Sequence, residues 1–208
     1  MAKPKEWVKT VTPAFKRDMQ ESGRAAYANG CGLREDAIAL FSAQRYPRAA
    51  ALAILAEEEF SKAFIMLVCA GNGRWDSNIF MALRKHANKQ GVSEAMLDYV
   101  AWFNENYKRV AELNQLAVIP MLASIDPGEH KMNEISEKAK SRFFKPIKDY
   151  LKQDAFYVSI DENAKVVSIP SAIGNEEAKQ CLKASEKFQV ITEVLLGESN
   201  AAERFAKL

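Results

Sequence analysis

Two groups of residues in this chain have the types and spacing to do chemistry. The first is Glu57-Glu58-Glu59-Phe60-Ser61-Lys62, and the second is His86 with Lys89 three residues on. A histidine beside a lysine at i, i+3 on one helix face can act as general acid or base while the lysine steadies negative charge on a phosphate. The alternative for His86 is a boundary histidine satisfied by a neighbouring carboxylate.

The carboxylates lie in an otherwise apolar stretch, Ala49 to Ala70. At about 100° per residue, Ala49, Leu52, Leu55, Ala56, Ala63, Met66 and Leu67 gather on one side, with Glu59 in their middle. Glu58 falls about 100° away and can pair with Lys62 one turn on, while Glu57 points to the far side. A carboxylate facing a core must be paired, hydrogen-bonded or protonated, because leaving it bare costs several kcal/mol. Glu59 is therefore expected to be buried with a cationic partner, and Glu57 to be dispensable for stability.

These groups must be positioned by helices. Tyr46-Pro47 suits a helix first turn, and Gly71-Asn72-Gly73 suits its end, so the Glu-bearing helix spans the residues between. Asp76 or Ser77 can cap the next helix, which places Ile79, Phe80, Leu83 and Ala87 inward. With about 1.5 Å of rise per residue, Glu59 and His86 lie roughly equally far from the intervening turn. An antiparallel pair would bring Glu58, Glu59, Lys62, His86 and Lys89 into one polar constellation, with Arg45 and Arg48 nearer the helix start. Such a constellation serves either a reaction or a buried ionic lock that fixes helical register.

Elsewhere, Pro13 opens a helical pattern through about Asn29. Gly30 and Gly32 then punctuate it before a segment carrying Leu33, Ala37, Leu40 and Phe41. Ser93 caps a helix continuing to Pro120, whose Tyr99, Trp102, Phe103, Tyr107 stripe reads as core. Asp126-Pro127-Gly128 is a turn, with His130 in the loop after it. A helix is expected from Asn133 to Gln153, bent or restarted at Pro146. Tyr157-Val158-Ser159-Ile160 and Val166-Val167-Ser168-Ile169 flank Asp161 to Lys165 as a hairpin. Asn175 caps a last helix carrying Phe188, Ile191, Val194 and Leu195. The expected fold is mainly α, a helical bundle with one short β-hairpin, in a single domain over 1–208 whose C-terminal helix covers about 175–206.

Composition narrows the function classes. The 208 residues are 48 % apolar and 27 % charged, with 29 Lys+Arg against 27 Asp+Glu and a net charge of +2. Such balance gives no overall field toward nucleic acid or anionic lipid. Cys31, Cys69 and Cys181 are widely separated, with no C-x-x-C pair and only two histidines, so they read as free thiols and not zinc ligands. No cofactor or metal is expected. The N-terminus lacks an apolar signal core and the longest apolar runs are too short to span a bilayer, so a cytoplasmic protein with no membrane partner is expected.

The run Arg45-Tyr46-Pro47-Arg48 through Ala56-Glu57-Glu58-Glu59-Phe60-Ser61-Lys62-Ala63, then His86-x-x-Lys89, then Phe156-Tyr157-Val158-Ser159, resembles the AbiV family of abortive infection proteins. That family belongs to the wider HEPN group of helical nucleotide-handling domains, and the likeness runs from about residue 33 to 170. The resemblance implies a bacterial anti-phage protein, related in fold to metal-independent endoribonucleases, acting on RNA or the translation machinery and usually dimeric. HEPN nucleases carry an arginine followed by four to six residues and a histidine. Here a single residue separates Arg84 from His86, and His130 has no arginine at that distance before it.

For RNA cleavage, His86 fits the acid–base role toward a 2′-hydroxyl or the leaving oxygen. Lys89 or Lys62 would steady the phosphate, and Glu59 would orient His86 or hold Lys62. The competing function is a non-catalytic helical protein that binds a phage or host protein, its polar cluster being structural. The last helix is one candidate contributor to a dimer contact.

Overall fold

A computed structural model describes residues 7–84, 147–198 and 200–205. His86, Lys89, His130, the Tyr99–Tyr107 stripe and the segments expected between Ser93 and Pro146 lie outside the described residues. The described elements are helices α1 (Pro13–Ser42), α2 (Tyr46–Asn72), α3 (Ser77–Arg84) and α4 (Ile147–Phe156), strands β1 (Ser159–Ile160) and β2 (Val166–Ser168), then helices α5 (Asn175–Leu196) and α6 (Ala201–Phe205). A single 3₁₀ turn, Pro170–Ala172, joins β2 to α5. The protein is mainly α-helical with one antiparallel hairpin, as the periodicity implies.

α1 begins where proline fits best. Pro13 occupies the first turn and the Thr12 hydroxyl accepts from the Phe15 N–H at 3.2 Å, satisfying one orphan donor. The helix then runs unbroken through Gly30 and Gly32, where a break was expected. The reason is tertiary. A Cβ on Gly30 would lie 2.7 Å from the Phe60 ring, and one on Gly23 3.1 Å from Leu67. These glycines let α1 lie close against α2, and the order of the two contacts shows that the helices run antiparallel.

α2 is the central element. Ala49, Ala50, Ala51, Ala53, Ala56 and Ala63 are fully buried, because α1, α4 and α5 pack around this helix. Small side chains on several faces let those neighbours approach, the pattern of a helix enclosed on more than one side. It ends as its glycines suggest, with Gly73 left-handed at φ +66° and its N–H bonded to the Cys69 carbonyl. One core cluster joins Phe60 to Phe188, Ile191 and Phe205. A second joins Ala49–Ala51 to Ala155, Ile173 and Ala178, and a third gathers Met19, Met66, Cys69 and Ala70 against Trp75, Ile79 and Leu83.

Asp76 caps α3, its Oδ1 accepting from the Ile79 N–H at 3.0 Å while Oδ2 accepts from Arg74 Nε at 3.0 Å. Val8 bridges to Asp76, so the same residue ties down the N-terminal segment. Asp76→Ala should cost about 1–2 kcal/mol, the worth of a good cap, read as a lower urea midpoint at constant slope. An unchanged midpoint would show that α3 does not depend on this cap.

The hairpin pairs Ser159 with Ser168 and Ile160 with Val166 around a bulge. Its turn is organised by Asp161, whose carboxylate accepts from the Asn163 and Lys165 N–H groups at 2.9 and 2.8 Å. α5 starts at Asn175, so Gly174 and not Asn175 is the capping position. The Gly174 N–H donates to the Glu177 carboxylate at 3.1 Å.

Candidate functional site

The polar stretch of α2 sits at mid-helix, where the enclosing elements converge. Glu57 and Glu58 are 3 % and 5 % exposed and Ser61 is fully buried, whereas Glu59 is only half-buried. This reverses the order read from periodicity. Leu52, Leu55, Glu59 and Lys62 are all half-buried, a stripe at i, i+3, i+7 and i+10 that forms the more open side of α2. A face rich in leucine is not the most enclosed one when the neighbours pack against alanines, and Glu57 has no solvent side to point to.

The pairing differs as well. Glu58 Oε1 accepts from Lys152 Nζ at 2.7 Å, with the two side chains 7 % and 14 % exposed. Lys62 instead contacts Glu59, its i−3 neighbour, with side chains 32 % and 17 % exposed. The expected Glu58–Lys62 pair is therefore replaced by two separate pairs. α4 delivers Lys152 because Leu151 and Ala155 pack on Ala49–Ala51 and their surroundings, which turns the intervening lysine toward α2. Nothing local in the sequence marks Lys152 among the lysines of its helix. The only signal is that Glu58 requires a cation.

Chemically, the Glu58–Lys152 pair is closed: each charged group is engaged with the other and withdrawn from water. It fixes α4 to α2. Lys62 is the more accessible cation of the stretch and the one suited to meet an anionic group. Arg45 and Arg48 are exposed at the start of α2, and Arg48 stands about 15 Å of helix rise from Glu58, so neither joins the cluster.

A second polar hub escaped the sequence reading. Glu193 on α5 is 5 % exposed and accepts from Tyr27 Oη at 2.8 Å, Gln189 Nε2 at 2.9 Å and Arg204 Nη1 at 2.5 Å. It thereby links α1, α5 and α6. Burial pushes the Tyr27 phenol above its ordinary range, helped by its side-chain hydrogen bonds with Cys31 and to the accepting Glu193 carboxylate. Burial likewise raises the Cys31 thiol and pushes that of Cys69 up to about 11. The three cysteines are free, and burial holds Cys31 and Cys69 in the less reactive thiol form. Among the described residues no helix is long and apolar enough to cross a membrane.

The family model HEPN_AbiV, described as AbiV, matches residues 18–189, from the first turns of α1 well into α5. This is wider than the stretch that carries the motif likeness. No curated protein and no solved structure matches significantly. With most of its length covered, and with the helical architecture and the acidic stretch of α2 both inside the match, the chain belongs to the AbiV family of HEPN-like proteins.

Proposed function

We propose that this chain is an abortive-infection protein of bacterial anti-phage defence, working in the cytoplasm as a homodimer and acting on RNA. Membership of the AbiV family over residues 18–189 carries this reading. The reaction assigned to it is metal-independent cleavage, with His86 as acid–base group and Lys89 and Lys62 steadying the phosphate. Lys62 supports the assignment as the more accessible cation of the α2 stretch. Glu58 takes a structural part, since it and its partner Lys152 are both largely withdrawn from water.

One observation favours a second reading. Glu58 and Glu59 each hold a lysine, which is what a non-catalytic helical protein that binds a phage or host protein would need to fix its fold.

Expression of the wild-type chain and His86→Ala in bacterial cells, with growth and RNA integrity followed together, separates the two. Catalysis predicts growth arrest with fragmented RNA for the wild type and neither for the variant. The purified wild type should also keep cutting in EDTA and leave cyclic phosphate ends. Growth arrest with intact RNA, unchanged in His86→Ala, would replace the enzymatic reading with the binding one.

A further inference from the structure

The segment before α1 is held by its main chain and not by burial of its largest side chain. The Ser77 N–H donates to the Trp7 carbonyl and the Lys9 N–H to the Trp75 carbonyl, both at 2.9 Å. Trp7 to Lys9 therefore runs antiparallel to Trp75 to Ser77 about the Val8–Asp76 bridge. Asp76, fixed by Arg74 and by its capping of α3, anchors the other side of this pairing. Trp7 stays 40 % exposed, and Phe80, in the first turn of α3, stays 38 % exposed.

We propose that this surface is a stacking platform for single-stranded RNA, with unpaired bases on Trp7 and Phe80 and the flanking phosphates on Lys9 and Arg74. The inference rests on the RNA reading given above. It assigns to that reading a binding surface on the element whose end, Arg84, lies two residues before His86.

The rings supply the first argument. Trp7 and Phe80 stand 6.0 Å apart between centroids at 54°, Phe80 and Trp75 6.4 Å at 70°, and Trp75 and Phe15 6.0 Å at 79°. None of these contacts is face to face. The outer two rings keep exposed surface, while the inner two, Trp75 and Phe15, are half-buried and back them. A ring locked by its neighbours and by main-chain bonds loses little freedom when a base settles on it, and every base offers a π-face to such a ring.

Charge is the second argument. In residues 7–20 and 73–80, Lys9, Lys16, Arg17 and Arg74 stand against Asp18 and Asp76, a net charge of +2 and as much as the whole chain carries. Asp76 is buried and engaged. The Arg74 side chain is 69 % exposed, and the Lys9 ammonium lies 4.0 Å from the centre of the Phe15 ring. Cations interleaved with aromatic rings suit a single strand, whose phosphates and bases alternate in the same way. A lipid surface would need a continuous apolar face instead. Trp7 and Val8, neighbours in an extended pairing, fall on opposite sides of it.

The test is fluorescence anisotropy of a short, labelled single-stranded RNA titrated with the full-length chain. Its 2′-hydroxyls are methylated, so that 2′-hydroxyl attack cannot cut it. Trp7→Ala should weaken binding by about fivefold or more, the low end of what one stacked base is worth, with the far-UV circular dichroism unchanged. Arg74→Gln should lower the slope of log Kd against log salt by about 0.7, the single-strand value for one phosphate contact. Lys183→Gln makes the same charge change at an exposed position on α5 and should bind as the wild type does. A duplex of the same sequence should be indifferent to Trp7→Ala, because paired bases offer no free face. Single-stranded RNA bound equally by wild type and Trp7→Ala overturns the platform and leaves the RNA reading standing. Equal losses in Arg74→Gln and Lys183→Gln overturn it as well, in favour of diffuse charge attraction. A wild type that binds neither this probe nor unmodified RNA at tens of micromolar overturns the RNA reading and the platform with it. Tryptophan emission that shifts to the blue on phosphatidylglycerol vesicles and is unmoved by RNA gives the surface to lipid and overturns the proposal. Should Trp7→Ala lose its helical signal, Trp7→Leu, which keeps an apolar contact with Phe80, decides by the same outcomes.

Discussion

Glu58→Ala should lower the stability of the fold by about 3–5 kcal/mol, the usual consequence of removing one member of a buried ion pair. The loss comes mainly from what remains. Lys152 is 14 % exposed, so its ammonium would be left in a poorly solvated position without the Glu58 carboxylate. Glu59→Ala should cost only about 0.5–1 kcal/mol, because its pair with Lys62 lies within one helix turn and nearer to water. Glu57, at 3 % exposure, should cost about 1–3 kcal/mol on truncation, since removing a buried polar group strands the groups it serves. Urea unfolding of the three variants with equal slopes gives the ranking directly.

The double variant Glu58→Leu/Lys152→Met sharpens the test. Replacing both charges with apolar groups of similar size removes the stranded ammonium, so most of the loss should return. If Glu59→Ala proved the most costly of the single variants, the open and enclosed sides of α2 would be the reverse of those described. If Glu58→Ala and the double variant fell equally, the loss would come from packing of the stem and not from the ammonium.

The ranking shows where sequence reasoning about this chain holds and where it stops. Pro47, Gly73 and Asp76 act through φ restriction, positive φ and side-chain capping, which are local effects, so the ends of α2 and the start of α3 were legible. The hairpin was legible for a similar reason: β-branched and aromatic residues flank a turn that Asp161 closes by itself. The faces of α2 were not. Periodicity finds an apolar side and assumes a polar one opposite, but α1, α4 and α5 enclose this helix, and the side carrying Leu52, Leu55 and Glu59 is the more open. Lys152 stands 94 residues from Glu58, and no pattern within α4 announces the pairing. Glu193 was hidden in the same way, a carboxylate among Phe188, Ile191 and Val194 whose partners Tyr27 and Arg204 come from other helices.

Gly30 was misread on equally physical grounds, and the contact it makes carries the second large effect. Phe60 is fully buried, tilts against the Tyr27 ring at 5.8 Å between centroids, and offers its carbonyl to the Thr192 hydroxyl at 3.4 Å. Phe60→Ala should cost about 3–5 kcal/mol, the transfer term plus the cavity left among α1, α2 and α5. Gly30→Ala adds about 1 kcal/mol of helix propensity, yet its Cβ would stand 2.7 Å from the Phe60 ring. The ring has little room to retreat, so overpacking of about 1–3 kcal/mol should dominate. Gly32→Ala meets nothing within 4 Å and should stabilise by about 0.5–1 kcal/mol. Thermal melts of these variants and of Gly30→Ala/Phe60→Leu separate propensity from packing. The smaller side chain at position 60 should relieve the clash, so the double variant should lose less than the sum of its parts. If Gly30→Ala stabilised the fold as much as Gly32→Ala, the close approach of α1 to Phe60 would not hold in solution. The unbroken course of α1 through its glycines would then need another cause.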